Sequence, residues 1–151
     1  MIKIIAVGKV KEKFYREAIL EYQKRLSKYT KVEIIEVPDI DAETKEIELR
    51  KEKEFILKNI KEREYLVTLE IEGKEMDSLT FSSLLEKNFS LYPTITFIIG
   101  GSVGIHSSIK EMAHFKLSFS KMTFPHQLFR VLLLEQIYRA YKIQNHESYH
   151  K

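Results

Sequence analysis

The sequence predicts an α/β fold, with a mostly parallel sheet and helices on both faces. One observation supports this fold class, and two others bound the number of domains. Apolar, β-branched segments alternate with amphipathic segments along the whole chain, which is the pattern of strands joined by crossover helices. The chain has 151 residues, the length of one domain, and it contains neither a repeat nor a low-complexity linker. We therefore expect residues 1–151 to form a single domain.

The first predicted helix lies between two strands. Residues 2–8 (IKIIAVG) are largely β-branched and end at Gly8, which predicts a buried strand. Residues 31–38 predict a second strand, which Pro38 ends. Between them, apolar residues recur every four positions and predict one face of a helix: Phe14, Ala18, Tyr22 and Leu26.

The middle of the chain predicts a helix, a strand and a second helix. Residues 41–62 have a helical pattern, and their many charged side chains indicate a solvent-exposed helix. Residues 64–71 predict a strand that ends in a turn at Glu72 and Gly73. Residues 78–92 predict a short amphipathic helix.

The last third of the chain predicts two more strands and two more helices. Residues 94–101 and 116–120 are the strands, and residues 106–115 form a short helix between them. Residues 125–146 predict a long helix that begins at Pro125.

This long helix is apolar around nearly its whole circumference, from Leu128 to Tyr138. A helix with one core-facing stripe needs fewer apolar residues, so this helix lies either centrally in the chain or between subunits. We expect a homodimer, because two-fold dimers are the commonest assembly. Glu135 and Arg139 are spaced to pair with each other.

Three glycines lie in the segment FIIGGSVGI, residues 97–105. Their spacing fits neither the dinucleotide fingerprint G-x-G-x-x-G nor the phosphate loop G-x-x-x-x-G-K-[ST]. Ligands bind at the carboxyl ends of parallel strands, and the loops after Ile71, Ile99 and Phe119 leave such ends. Together these loops predict a cofactor-sized cleft that lacks a phosphate anchor.

Charge is distributed unevenly along the chain, although the net charge is only +3. Residues 1–31 hold nine Lys or Arg against three Glu, and residues 101–151 hold seven against three, whereas residues 32–100 hold nine against sixteen Asp or Glu. If the fold joins the two basic ends, one face could attract a polyanion such as RNA. The alternative is uneven surface charge without a partner.

The chain contains no Cys, which excludes disulfides and thiolate metal sites and is typical of a reducing compartment. We therefore expect a cytoplasmic protein. No apolar run approaches the roughly 18 residues that a membrane helix needs, and the opening MIKIIAVGK does not predict a signal peptide. The histidines lack zinc-ligand spacing, so no metal is expected.

The C-terminal third carries a more specific signal. IIGGSVG is followed by LSFSKMTFPHQLFRVLLLEQIYRAYKI, and the chain ends in YHK. These motifs, with AVGKVKEKF near the start and VTLEIEGK in the middle, resemble the SPOUT-class RNA methyltransferases over the whole chain. Within that class the sequence is similar to the small RlmH type, which methylates N3 of a pseudouridine in 23S ribosomal RNA of the large subunit.

The resemblance implies a C-terminal trefoil knot, a homodimer and S-adenosylmethionine bound inside the knot. A knot runs against the physical default of unknotted chains, so periodicity does not predict it. An uncharged adenosine also explains why the glycine loop lacks a phosphate signature. The resemblance places ten residues at the cofactor: Leu69, Gly100, Gly101, Gly104, Phe119, Ser120, Lys121, Met122, Thr123 and Phe124.

The resemblance further implies that the C-terminal tail reaches across the dimer, with Tyr149 and His150 near the target base. His150 is the candidate general base, because neutral imidazole is available near pH 7. Arg139, or Arg130, could instead hold a phosphate or stabilise the anion. The catalytic candidates are therefore His150, Tyr149 and Arg139.

Three residues near the start of the long helix have open roles. His126 could support the helix start, the knot or the active site. Gln127 and Arg130 could contact RNA or the partner subunit.

Two other functions remain open at this stage. A non-catalytic ribosome-binding or RNA-binding protein of the same fold would use the basic regions equally well. A nicotinamide-dependent oxidoreductase is disfavoured, since Gly8-Lys9-Val10-Lys11 stands where the fingerprint glycines would lie. The resemblance implies that the substrate is ribosomal RNA within the assembled ribosome.

Overall fold

A computed structural model describes residues 1–151. It contains five strands and five helices: β1 (Ile2–Val7), α1 (Lys13–Leu26), β2 (Val32–Val37), α2 (Lys45–Lys58), β3 (Glu64–Glu75), α3 (Ser78–Phe89), β4 (Thr94–Ile99), α4 (Ser107–Met112), β5 (Phe115–Ser118) and α5 (His126–Gln144). All strands are parallel, in the order β2-β1-β4-β3-β5. The predicted α/β class and parallel sheet are confirmed.

Helices cover both faces of the sheet because side chains alternate along each strand. Ile2 and Ile4 of β1 point into a large core that includes residues of α1, α3 and α5. Ile5 and Val7 point to the other face, where they join Ile56 of α2 and a residue of α4 in a smaller core. A strand buried on both faces gives the near-continuous apolar run seen in IKIIAV.

The apolar helix α5 packs against both α1 and α3. Leu133, Leu134 and Ile137 are completely buried. The central position within the chain, one of the two alternatives from the sequence, therefore accounts for much of the apolar surface of this helix. The homodimer stays a prediction.

The predicted turn at Glu72-Gly73 is wrong, because β3 continues to Glu75. Its pairing with β5 skips residues, so that Leu69 and Lys74 both lie opposite Leu117. A Cβ atom on Gly73 would lie only 2.7 Å from the carbonyl oxygen of Lys116. Glycine therefore lets β5 approach the displaced part of β3, and the extra residues bulge at the carboxyl edge of the sheet.

The predicted apolar face of α1 is wrong at Phe14, whose exposed fraction is 62%. Successive positions at a spacing of four rotate by about 40° around a helix, so a long series drifts away from the core. The buried residues of α1 are Ile19 and Leu26.

A buried ion pair joins the amino ends of the central strands. Lys3 of β1 pairs with Glu64 of β3, and their side chains are only 3% and 5% exposed. The hydroxyl of Thr96 donates to the other Glu64 oxygen at 2.9 Å, and Lys3 also donates to the carbonyl of Asn59 at 2.9 Å. Both charges are thus hydrogen-bonded as well as paired, as buried charges require.

We expect Lys3→Met to lower the free energy of unfolding by about 3–5 kcal/mol, because it leaves the Glu64 carboxylate buried without its cation. The double variant Lys3→Met/Glu64→Gln should lose less, since a neutral amide replaces the unpaired charge. Urea denaturation measures both values. Equal losses for the two variants would show that charge burial is not the cause.

Candidate functional site

The glycine loop after β4 folds back on itself. Gly101 and Gly104 form an isolated antiparallel bridge, and the Gly104 amide donates to the Gly101 carbonyl at 3.1 Å. Gly104 has φ +87°, a left-handed conformation that favours glycine. A Cβ atom on Gly100 would lie 2.5 Å from the Gly104 carbonyl oxygen. The loop can close this tightly only without side chains, and its backbone faces the adjacent cleft.

This cleft, called the main cleft below, has a volume of about 490 Å³ and lies at the carboxyl edge of the sheet. The loops after β4 and β5 meet around it as predicted, but the third wall is the bulge within β3 and not the predicted loop after Ile71, because β3 continues to Glu75. Nine of the ten predicted cofactor residues line it: Leu69, Gly100, Gly101, Gly104, Phe119, Ser120, Met122, Thr123 and Phe124. Lys121 is exposed and does not line the cleft. The cofactor role of these residues stays a prediction.

Aromatic packing shapes the wall of the main cleft that follows β5. The ring centroids of Phe119 and Phe129 are 4.9 Å apart, and those of Phe124 and Phe129 are 6.3 Å apart. Phe129 belongs to α5, so it ties the segment after β5 to the long helix. Phe129 also lines the main cleft, although it is not among the predicted site residues.

Charged residues also line the main cleft, and sequence reasoning missed them. Glu70 lies at the β3 bulge, where it accepts a hydrogen bond from the Thr68 hydroxyl at 2.6 Å and lies 3.5 Å from the ammonium of Lys110. Lys45 approaches from the start of α2. The position of Glu70 at the end of a predicted strand was a usable signal, whereas nothing in the sequence places Lys45 here.

The first turn of α5 holds the segment that follows β1. Gln127 accepts hydrogen bonds from the backbone amides of Lys11 and Glu12 at 3.0 and 3.2 Å. His126, one position earlier, lines the main cleft. The side-chain oxygen of Gln127 therefore takes part in contacts within the chain.

Arg130 lies on the next turn, and its side chain is only 3% exposed. Its guanidinium donates to the carboxylate of Glu36 at 2.6 Å and to the Gly8 carbonyl at 3.2 Å. A direct RNA contact of Arg130 is incompatible with this burial, so that alternative is wrong in this conformation. Arg130 instead joins α5 to the carboxyl ends of β1 and β2, and it thereby fixes the start of α5 beside the main cleft.

The C-terminal tail docks on α5 of its own chain through one carboxylate, and its reach across a dimer stays a prediction. Glu135 accepts a hydrogen bond from the Tyr149 hydroxyl at 2.8 Å and another from Arg139 Nε at 2.8 Å. The predicted pairing of Glu135 with Arg139 is confirmed. Arg139 lies 3.2 Å from Nδ1 of His150, so the three catalytic candidates form one cluster.

His150 lines a second cavity, of about 380 Å³, together with Asp77, Ser78 and Gln136. This second cavity shares Leu117, Ser118 and Phe119 with the main cleft. The catalytic candidates and the main cleft therefore lie on opposite sides of the end of β5. Two small molecules held in the two cavities would be neighbours.

Burial raises the pKa of Tyr149, and its hydrogen bond to the Glu135 carboxylate raises it further. Burial is also the main cause that raises the pKa of Tyr22 to about 12, with Glu135 as the next cause. Both phenols are protonated at neutral pH. Tyr149 can therefore donate a hydrogen bond but cannot serve as the base at neutral pH.

Two further findings concern metals and membranes. No group of three or more His, Asp or Glu side chains has a geometry that could hold a metal ion. None of the five helices combines the length and the apolar character that crossing a membrane requires.

The motifs of the C-terminal third and the cleft agree with the comparisons with known proteins. Residues 1–150 match the family model described as "Predicted SPOUT methyltransferase", and the chain belongs to that family. The solved structure of a "probable methylase family protein" from Haemophilus influenzae Rd KW20 shares the fold, with a TM-score of 0.57, 14% identity, and coverage of 99% of this chain and 70% of that one.

Individual relatives indicate the type of methyltransferase more specifically than the family model does. The chain is 53% identical over 157 residues to the ribosomal RNA large subunit methyltransferase H of Clostridium botulinum (strain 657 / Type Ba4). It is 49% identical over 157 residues to the protein of the same name from Clostridium tetani (strain Massachusetts / E88). In both comparisons the alignment covers 99% of each chain. The resemblance inferred from the sequence motifs is confirmed.

We expect Glu135→Gln to lower the pKa of Tyr22 from about 12 toward, but not to, 10, because burial, the larger cause, remains. The raised pKa favours the folded state fully below pH 10, and this contribution is lost as the pH rises through 12. Absorbance of tyrosinate during an alkaline titration measures the change, and Tyr22→Phe identifies the relevant transition. An unchanged pKa would remove Glu135 as a cause.

Proposed function

We propose that this chain, as one methyltransferase domain of residues 1–151, transfers a methyl group from S-adenosylmethionine to N3 of a pseudouridine in 23S ribosomal RNA. The observation that carries the proposal is the pair of adjoining cavities, one lined by glycine backbone and the other by His150. Membership of the methyltransferase family and the names of the relatives support the reaction and the RNA substrate.

The main cleft fits S-adenosylmethionine. Its volume of about 490 Å³ lies within the usual range of small-molecule sites. The backbone of Gly100 and Gly101, where no side chain has room, can hydrogen-bond the edge of an adenine. Leu69 and Met122 supply apolar contact on its faces.

When bound, S-adenosylmethionine supplies a methyl group on a sulfonium, and the transfer forms an N–C bond as the C–S bond breaks and leaves a thioether. The chain must align N3 of the base with that methyl group and remove the N3 proton. In our proposal His150 accepts this proton at Nδ1. The Arg139 guanidinium, which lies 3.2 Å from that atom, must first turn away from it, and it then stabilises the resulting anion of the base. Tyr149, protonated and held by Glu135, orients the tail.

We further propose that the segment between β5 and α5 threads the chain as a trefoil knot. Support comes from its position, since Ser120, Thr123 and Phe124 line the same cleft as the glycine loop. The proposed active unit is a homodimer in the cytoplasm. Val131 and Leu132 of α5 retain partly exposed apolar surface that a second copy could cover.

The assembled ribosome is the proposed substrate, and labelled S-adenosylmethionine tests this. Ribosomes that lack the modification and free ribosomal RNA are incubated separately with the protein, and the labelled nucleotide is identified. Label on a pseudouridine of the large-subunit RNA in ribosomes alone is the expected result. Ribosome binding without cofactor binding or label would favour the non-catalytic binding protein instead.

We expect His150→Ala to lower kcat by about 10²-fold or more, the usual contribution of a general base. Its affinity for S-adenosylmethionine should stay unchanged, because His150 lines the second cavity and not the main cleft. Single-turnover methyl transfer and calorimetry measure the two quantities. Full activity of this variant would mean that another group, or water, takes the proton.

We expect Gly100→Ala to weaken S-adenosylmethionine binding more than tenfold, because the new Cβ would lie 2.5 Å from the Gly104 carbonyl oxygen. Urea denaturation of the same variant separates a loss in the cofactor site from a loss of the whole fold. Calorimetric titration compares its cofactor affinity with that of the unmodified chain. Wild-type affinity for Gly100→Ala would contradict the proposed cofactor site.

A further inference from the structure

A basic segment, residues 9–16, consists of the loop after β1 and the first turn of α1. Its four cationic side chains are exposed: Lys9, Lys11, Lys13 and Arg16. Acidic side chains in and beside it are Glu12 and Glu17, and Glu17 lies 3.7 Å from Lys13 in a fully solvated pair. Such surface pairs contribute little to stability, so Glu17 does not hold Lys13 in place. Within residues 9–16, four cationic side chains stand against one Glu, so the segment has an excess of positive charge.

An exposed aromatic ring lies in the middle of this basic segment. Phe14 is 62% exposed, and its ring centroid lies 4.3 Å from that of Tyr15. The outer face of the Phe14 ring is therefore not packed against the hydrophobic core. Cations alternating with an exposed aromatic ring are the pattern of surfaces that bind single-stranded nucleic acid.

The backbone of the basic segment is fixed from both sides. The amide of Val10 donates to the Glu36 carboxylate at 3.0 Å, and that carboxylate is held in turn by Arg130. The amides of Lys11 and Glu12 donate to Gln127. The cations thus project from a positioned backbone, which lowers the entropy lost on binding.

The basic segment begins beside the main cleft. Val7, at the end of β1, has a methyl group 2.9 Å from the position that a Cβ on Gly101 would take. Gln127, which anchors the segment, is adjacent to His126 in the wall of the main cleft. The proposed target nucleotide enters the second cavity near Arg139, which lies about 18 Å further along α5 than Gln127. An RNA strand that is bound there can extend along α5 to residues 9–16.

We propose that the basic segment is an RNA-binding surface, in which the cations contact backbone phosphates and Phe14 stacks on a base near the target nucleotide. This inference rests on the proposed function. Positive charge around Phe14 favours RNA over a second copy of the chain as its partner. Leu20 of α1 is equally exposed, at 63%, but Glu17 and Glu21 are near it in sequence, so it is the natural control.

The test compares four variants of the full chain. Lys9→Ala/Lys11→Ala has Lys51→Ala/Lys61→Ala as its charge-matched control, which changes lysines of the α2 region, and α2 packs on the other face of the sheet. Phe14→Ala has Leu20→Ala as its control. Binding to undermodified ribosomes and to a labelled single-stranded RNA is measured over a range of KCl concentrations. Size-exclusion chromatography and S-adenosylmethionine titration accompany each variant.

We expect Lys9→Ala/Lys11→Ala to reduce the slope of log K against log salt by about 1.4, from about 0.7 for each of two lost phosphate contacts. Phe14→Ala should weaken binding at least fivefold without changing that slope, as the loss of one base stack would. In methyl transfer both should raise KM and leave kcat and cofactor affinity unchanged.

Binding of Lys9→Ala/Lys11→Ala equal to that of its control would overturn the proposal. The same holds if Phe14→Ala binds RNA as tightly as Leu20→Ala, or if it loses binding only because the chain changes its oligomeric state. Should the unmodified chain bind RNA with these sensitivities but transfer no methyl group, the surface would stand and the proposed function would fail.

Discussion

The close approach of the Gly100 and Gly104 backbones is the constraint on which the site depends. A Cβ atom on Gly100 would lie 2.5 Å from the Gly104 carbonyl oxygen, so only glycine allows the chain to reverse here. This reversal leaves backbone, without side chains, at the edge of the main cleft. The segment after β5 can then line the same space from the other side.

Helix α5 links the separate parts of the functional surface. Its apolar residues pack against α1 and α3, which fixes the helix in the core. Gln127 and Arg130, in its first turns, hold the segment after β1. Glu135 and Arg139, two turns later, hold the tail. One rigid element therefore sets the positions of the basic segment, the main cleft and the catalytic candidates relative to one another.

The two ends of the sheet have different physical characters. At the amino end, Lys3 and Glu64 are buried, paired and hydrogen-bonded, an arrangement that leaves no free group for chemistry. At the carboxyl end, the β3 bulge, the glycine loop and the segment after β5 leave backbone and polar side chains accessible. Because the carboxyl edge binds ligands in parallel sheets, this division agrees with the proposed function.

Several features were predictable from the sequence, because they depend on local patterns. The order of all ten elements, the parallel sheet and the two loops after β4 and β5 at the main cleft follow from periodicity, and the family follows from the motifs of the C-terminal third. The pairing of Glu135 with Arg139 follows from their helical spacing.

The burial or exposure of individual side chains was decided only by the tertiary structure. Arg130 is buried against Glu36, 94 positions away in sequence, and a local pattern carries no information about such a contact. Phe14 begins the apolar series of α1 but has the exposure of a surface residue, since the series drifts around the helix and only the packing against α5 decides which part of it is covered. The sequence by itself therefore determined the elements, their order and the family. The fold determined which polar side chains became internal supports and which stayed free, because that choice depends on contacts between residues distant in the chain.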